Sequence, residues 1–186
     1  MTAVLHLLAG PNGAGKSAFA RDVLAGLHLP FVNADHIAAR DWPEDPETHA
    51  YEASARAAGR RQELLEARTS FITETVFSHP SKTELVRRAS VMGYHVTLHV
   101  FLVPLAQTLD RVEDRVADGG HSVPREKIVA RYQRLWAHIT RARLIADVTH
   151  VYDNSSAARP FRRVARYAGG RLVAEGSWPA WSPLAP

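Results

Sequence analysis

An α/β fold, with a mostly parallel sheet and helices on both faces, is predicted by two features of the chain. Short apolar runs alternate with helical stretches along its length. The first apolar run ends in a glycine-rich turn that opens directly into a helix, the order in which a parallel strand feeds its crossover. The 186 residues suit one domain, 1–186, with a single well-buried core.

The elements follow in order. Ala3–Ala9 is mostly apolar and ends at glycine, so it reads as a buried parallel strand. Lys16–Leu27 reads as a helix, and Phe31–Asn33, after Pro30, as a short second strand. Asp41–Pro46, with two prolines and no periodicity, is a loop. Glu47–Arg68, rich in Ala, Glu, Arg and Leu, is a long helix. Ser70–Thr75 is β-branched and aromatic, hence a strand. Lys82–Met92 is a helix capped by Ser81 or a neighbour and ended by Gly93. Val96–Val103 is the clearest strand. Pro104 starts a helix to about Ala117, Gly119-Gly120 breaks it, and Pro124 opens another over Arg125–Ala146. Thr149–Tyr152 is a further strand. Phe161–Tyr167 and Arg171–Glu175, joined by Gly169-Gly170, form a terminal hairpin, so that hairpin and tail occupy about 159–186. The tail from Trp178 is irregular, and the tryptophans serve as core or tail anchors.

Composition narrows the function. Apolar residues make up 46% and charged residues 23%, values of an ordinary globular protein. No apolar run reaches the ~18 residues of a membrane span, and MTAVLHLLAG lacks the basic start of a signal peptide. The chain has no cysteine, which excludes disulfides, thiolate zinc sites and cysteine nucleophiles and points to a cytoplasmic setting. The net charge of +4 comes mainly from arginines that concentrate from Arg87 onward. It reads either as a solvated surface or as one that attracts nucleotides and phosphorylated molecules; for nucleic acid it is weak support.

Gly10-Pro11-Asn12-Gly13-Ala14-Gly15-Lys16-Ser17 satisfies G-x-x-x-x-G-K-[ST] at every fixed position, between an apolar strand and an amphipathic helix. Glycines let the backbone curl so that successive N–H groups point at phosphate oxygens, and the helix beginning near Lys16 adds its positive end. In such a P-loop Lys16 reaches the β- and γ-phosphates and the Ser17 hydroxyl ligates Mg²⁺, so ATP and Mg²⁺ are the expected cofactors. The fold class sharpens to a P-loop NTPase of nucleotide-kinase type.

Further candidates lie where a parallel sheet opens on that loop. Asp35, after the second strand, either accepts a proton from an attacking hydroxyl or caps the helix beginning at His36. Glu74, at the end of the third strand, holds Mg²⁺ through water, binds substrate, or is a structural strand-end acid; Thr75 is a substrate contact beside it. Arg111, Arg115, Arg125 and Arg131 flank Gly119-Gly120-His121-Ser122-Val123-Pro124, as a closing lid over about 111–131 requires. Each arginine either serves phosphate or pairs with Glu113, Asp114 or Asp118. His121 is no metal ligand, since no second His or Cys stands at ligand spacing. Asp153-Asn154-Ser155, after the last parallel strand, lines the nucleotide site, with Asn154 as the candidate contact, or forms an Asx-turn.

Together LLAGPNGAGKS, FVNAD, FITETVFS, RVxxRV–GGHSVP–RY and VYDNS resemble the zeta toxin family of P-loop kinases, over roughly Leu7 to Ser155. The likeness is to its short chromosomal members. The resemblance implies a phosphotransferase that acts on a small-molecule hydroxyl. Known members phosphorylate the 3′-hydroxyl of the sugar in UDP-N-acetylglucosamine. By position, Lys16 and Ser17 match the phosphate and magnesium residues, Asp35 the catalytic base, and Glu74 and Thr75 the substrate contacts. Arg115 and Arg125 match the phosphate-clamping arginines, with Arg111 and Arg131 as alternates. An antitoxin partner is a further implication. The chain is shorter than the plasmid-borne toxins, which leaves the acceptor open. The competing readings are a polynucleotide or nucleoside 5′-hydroxyl kinase, against which the lack of interleaved aromatic and basic residues argues, and an ATP-dependent binding module with no acceptor.

Overall fold

The computed structural model describes residues 2–117 and 123–184. The expected Gly119-Gly120 hinge and His121 lie outside them. Seven strands form one sheet: β1 (Val4–Ala9), β2 (Phe31–Val32), β3 (Phe71–Thr75), β4 (His95–Leu102), β5 (Val148–Asp153), β6 (Arg162–Ala168) and β7 (Arg171–Glu175). The helices are α1 (Lys16–Asp22), α2 (Ala34–Asp41), α3 (Ala50–Glu66), α4 (Pro80–Val91), α5 (Leu105–Ala117) and α6 (Arg125–Arg143). The strand order is β2-β3-β1-β4-β5-β6-β7. The first five are parallel, and β6 and β7 extend the sheet antiparallel. Among the described residues no helix is long and apolar enough to cross a membrane.

The central strands are buried on both faces, which is why β1 and β4 read as near-continuous apolar runs. Leu5, Leu7, Val96, Leu98 and Val100 join Ala57, Leu64, Leu65, Val86, Leu135 and Ile139 from α3, α4 and α6 in the larger core. Leu8 and Phe101 pack with Phe19 and Ala20 of α1 in a second core. Trp178 and Trp181 lie against the larger core and pin the irregular tail.

Three of the boundaries that differ from expectation do so for evident local reasons. The first helix stops at Asp22, and a 3₁₀ turn at Ala25–Leu27 ends on His28 at φ 49°. Gly26 and the approaching Pro30 cannot sustain an α-helix there. The expected helix from Glu47 begins instead at Ala50, because the Asp45 carboxylate accepts from the Thr48 N–H and holds a turn ahead of it. Asp41 closes α2 rather than opening the loop. The terminal hairpin turns on Gly169 and Gly170 at φ 52° and 76°, the paired positive values a tight hairpin needs.

Three histidines that look scattered in sequence meet on one sheet face. His6 Nδ1 lies 3.2 Å from His99 Nε2, and the His99 ring stacks between those of His6 and His150. Burial, with the charges of His6 and His150, pushes the His99 pKa down to about 3. Burial lowers His6 and His150 as well. All three therefore bind protons more weakly folded than unfolded, so acid favours the unfolded chain. We expect unfolding free energy, measured by denaturant titration, to fall as pH drops from about 6.5 toward about 3. The fall should be shallower in His99→Phe, whose ring joins Phe19 and Phe101. Parallel pH profiles for the two proteins would refute the assignment.

Candidate functional site

The site lies at the carboxyl ends of β1, β3 and β2, where the parallel register brings Ala9 opposite Thr75. The loop after β1 curls through two glycines in left-handed conformation, Gly13 at φ 65° and Gly15 at φ 83°. Side chains also crowd both: a Cβ on Gly13 would press on Arg111, and one on Gly15 would collide with the Asn154 amide. Sterics and backbone conformation thus demand glycine twice in this loop.

Lys16, at the first position of α1, is 6% exposed. Its Nζ donates to the carbonyls of Gly10 and Pro11 at 3.1 and 2.8 Å, and lies 3.9 Å from Glu74 Oε1. Burial lowers its pKa. The carboxylates of Glu74 and Asp35 oppose that shift, and the Arg115 guanidinium adds to it. Residues from β3, α2 and α5 therefore act on one ammonium group.

Glu74 is the junction of this network. Its Oε2 accepts from the Ser17 hydroxyl at 2.7 Å and from Asn33 Nδ2 at 3.0 Å. Asn33 was not singled out in the sequence, yet it does two jobs. Its Oδ1 caps α2 by accepting from the Asp35 N–H at 2.7 Å, and its amide nitrogen tethers Glu74. The capping alternative for Asp35 is thereby corrected: Asn33 is the cap, and Asp35 sits inside the first turn with its carboxylate exposed. The signal was present, since Asn followed by an acid in the next turn is a strong helix start. Thr75 Oγ1 accepts from the Phe77 N–H at 3.2 Å, in a turn that holds the buried Phe77 at φ 69°. That leaves the hydroxyl proton of Thr75 available to a ligand.

The four arginines expected to serve a lid part company. Arg111 donates to the carbonyls of Gly13 and Asn154 at 3.2 and 3.0 Å, buttressing the loop from outside. Arg115, one turn further on, is half-buried on the same flank of α5, and its charge reaches Lys16. Arg125 is not brought to the loop. It pairs at 3.1 Å with Glu113, which stands between Arg111 and Arg115 in sequence and so projects from the opposite flank of α5. Arg131 is half-buried on α6. Asn154 is occupied at both ends, donating to Ala14 O at 2.9 Å and accepting from Phe161 N–H at 3.1 Å. The expected Asx-turn is present and is made by Asp153, which accepts from Ser155 N–H and from Arg162.

Oxygen donors suit a hard cation such as Mg²⁺, and the Ser17 hydroxyl and Glu74 carboxylate are adjacent. Among the described residues no group of three or more His, Cys, Asp or Glu is placed to hold a metal by itself. Any Mg²⁺ here would therefore complete its shell with phosphate oxygens and water.

Known structures share this architecture. The AvrRxo1-ORF1:ORF2 complex with ATP aligns with a TM-score of 0.69 at 18% identity, over 94% of this chain and 61% of that one. The chain thus spans less than two thirds of that protein. A structure of the PezAT chromosomal toxin–antitoxin system of Streptococcus pneumoniae aligns with a TM-score of 0.62 at 13% identity, over 89% and 72% of the two chains. Shikimate kinase from Acinetobacter baumannii, in complex with shikimate, aligns with a TM-score of 0.50 at 17% identity, over 84% and 87%. At these identities the likeness is one of fold. No curated protein matches the chain. Residues 5–138, which carry the P-loop, Glu74 and α5, match the AAA_33 family profile, described as an AAA domain, and the chain belongs to that family of P-loop, kinase-like domains.

Proposed function

We propose that this chain transfers the γ-phosphoryl group of ATP to a hydroxyl of a small molecule. The observation that carries the reading is the Glu74 carboxylate, which accepts from Ser17 and Asn33 and lies 3.9 Å from the buried Lys16 ammonium, on which the charges of Asp35 and Arg115 also act. A site that only grips nucleotide needs the loop and its lysine; it does not need an exposed carboxylate and an arginine set around the same point. In the reaction we infer, the acceptor oxygen bonds to the γ-phosphorus, the bond to the β-phosphate oxygen breaks, and ADP leaves. The hydroxyl proton passes to Asp35. Lys16 and Arg115 counter the charge on the transferred group. Mg²⁺, held by Ser17 with Glu74 and the phosphates, would neutralise the β- and γ-oxygens. Arg111 and Asn154 act as positioning residues that keep the loop curled.

For the acceptor, we place a sugar nucleotide such as UDP-N-acetylglucosamine first, on the resemblance of the sequence motifs to zeta toxins. A protein antitoxin is the partner we infer, supported by the fold shared with a structure from a toxin–antitoxin system. The cytoplasm, where ATP is available, is the inferred setting.

Purified protein with ATP–Mg²⁺ should phosphorylate at least one member of a panel of sugar nucleotides, nucleosides and sugar alcohols, detected by mass spectrometry. Asp35→Asn should lower kcat about 10²–10⁴-fold while ATP still binds. No acceptor phosphorylated by the parent protein, with equal slow hydrolysis by Asp35→Asn, would leave a binding module. Labelling of oligonucleotide 5′-ends instead would make it a polynucleotide kinase.

Arg111→Met removes two charge-assisted bonds, each worth about 1.5–3 kcal/mol. It should weaken ATP binding in calorimetry and lower the melting temperature, yet leave the pH dependence of kcat in place. A changed pH profile with intact ATP affinity would mean that Arg111 meets the reacting groups.

A further inference from the structure

Asn33 uses both ends of one buried amide. It is 5% exposed and stands in extended conformation, φ −136° and ψ 129°, between β2 and α2. Its Oδ1 accepts from the Asp35 N–H at 2.7 Å and from the His36 N–H at 3.4 Å, and its Nδ2 donates to Glu74 Oε2 at 3.0 Å. Only one orientation of the amide satisfies both ends: reversed, its NH₂ would meet two N–H donors and its oxygen would meet a carboxylate. A helix cap alone does not call for this group. Ser and Asp cap as well as Asn, but Ser has no second arm and Asp has one that cannot donate. Nor is the amide needed to fasten β2 to β3. Those strands pair through Phe31 and Val32, and Thr73 Oγ1 donates to the Val32 carbonyl at 2.9 Å, one residue ahead of both Asn33 and Glu74.

The bond to Glu74 decides which way that carboxylate faces. Oε2 accepts from the Ser17 hydroxyl at 2.7 Å and from Asn33, which fills both of its acceptor sites. Oε1, 3.9 Å from Lys16 Nζ, is the oxygen left for a ligand or its water. Without the amide, Ser17 alone would hold Oε2, and the carboxylate would be free to turn about its last torsion, which is broad. The Ser17 hydroxyl gives its proton to Oε2 and so keeps its own lone pairs for a cation. A fixed carboxylate therefore fixes the hydroxyl as well. The other arm of Asn33 starts α2 and sets the turn that carries Asp35.

We propose that Asn33 is a positioning residue for phosphoryl transfer: one arm holds Glu74 in register with Ser17 on the metal–nucleotide side, and the other holds the first turn of α2, with Asp35, on the acceptor side. It acts through those residues. The acceptor half rests on the kinase reading. The Glu74 half concerns ATP–Mg²⁺ binding alone and is testable without turnover.

Two variants of the full-length protein separate the arms. Asn33→Ser keeps a cap of equal rank and removes the bond to Glu74, whereas Asn33→Ala removes both. ATP affinity is measured by calorimetry with Mg²⁺ and again in EDTA, and the ratio of the two isolates the contribution of the metal. In Asn33→Ser that ratio should fall about 10–100-fold while affinity in EDTA is unchanged. An unchanged ratio would overturn the proposal, and so would an equal fall in both affinities, which is what a general loss of loop structure gives. In a Glu74→Ala background Asn33→Ser should lower the ratio no further, since one contact is lost only once; additive losses would mean that Asn33 acts elsewhere. Should Asn33→Ser fail to fold, Asn33→Asp, with the same shape and cap rank but no donor, takes its place with the same expected loss of the ratio. At saturating ATP–Mg²⁺ and acceptor, Asn33→Ala should have a lower kcat than Asn33→Ser; equal values would overturn the acceptor half. Turnover with an unchanged ratio in Asn33→Ser would spare the kinase reading and sink the Glu74 half. A lowered ratio with no acceptor phosphorylated by the parent would do the reverse.

Discussion

The Glu74 carboxylate is the contact on which the site depends. It stands one residue before the end of β3, holds the Ser17 hydroxyl at the start of α1, holds the Asn33 amide at the cap of α2, and lies beside Lys16. Three elements distant in sequence are fixed to one another by a single side chain that is only 12% exposed. Hydrogen bonds to an ionised group in such surroundings are short and strong. Loss of the carboxylate would leave Lys16 buried with less compensation and Asn33 with a vacant donor.

The geometry around that carboxylate is a consequence of the parallel sheet. Because β1 and β3 run side by side in register, Leu8 faces Glu74 and Ala9 faces Thr75, so the acid arrives where the loop begins to curl. β2 pairs with the far side of β3, which sets Asn33 and the start of α2 one strand further out. The loop is supported from the other flank by Arg111 and Asn154, whose polar groups bind its carbonyls. The P-loop is thus held between an acid on one side and a positioning pair on the other. The same arrangement explains why Gly13 and Gly15 admit no side chain: the buttresses stand where a Cβ would go.

Much of the site was legible in the chain because its signals are local. The P-loop spacing, the strand ahead of it, and the acids that close the next two strands each need only a few consecutive residues. The histidines at positions 6, 99 and 150 carried no such signal, since only strand pairing stacks them. Arg111, Arg115, Arg125 and Arg131 looked equivalent in sequence for the same reason. Their separation into a buttress, a charge near Lys16 and a surface pair follows from the flank of α5 or α6 that each occupies.

By itself, the sequence determined the alternating order of strands and helices, the phosphate-binding loop, and the carboxylates at the strand ends, because periodicity and turn chemistry act over a few residues. The tertiary structure alone decided that Asn33 rather than Asp35 caps α2, that Glu74 joins three elements, and that Arg125 lies away from the loop. Those outcomes depend on strand register, helix flank and burial, and such long-range constraints exist only once the sheet has assembled.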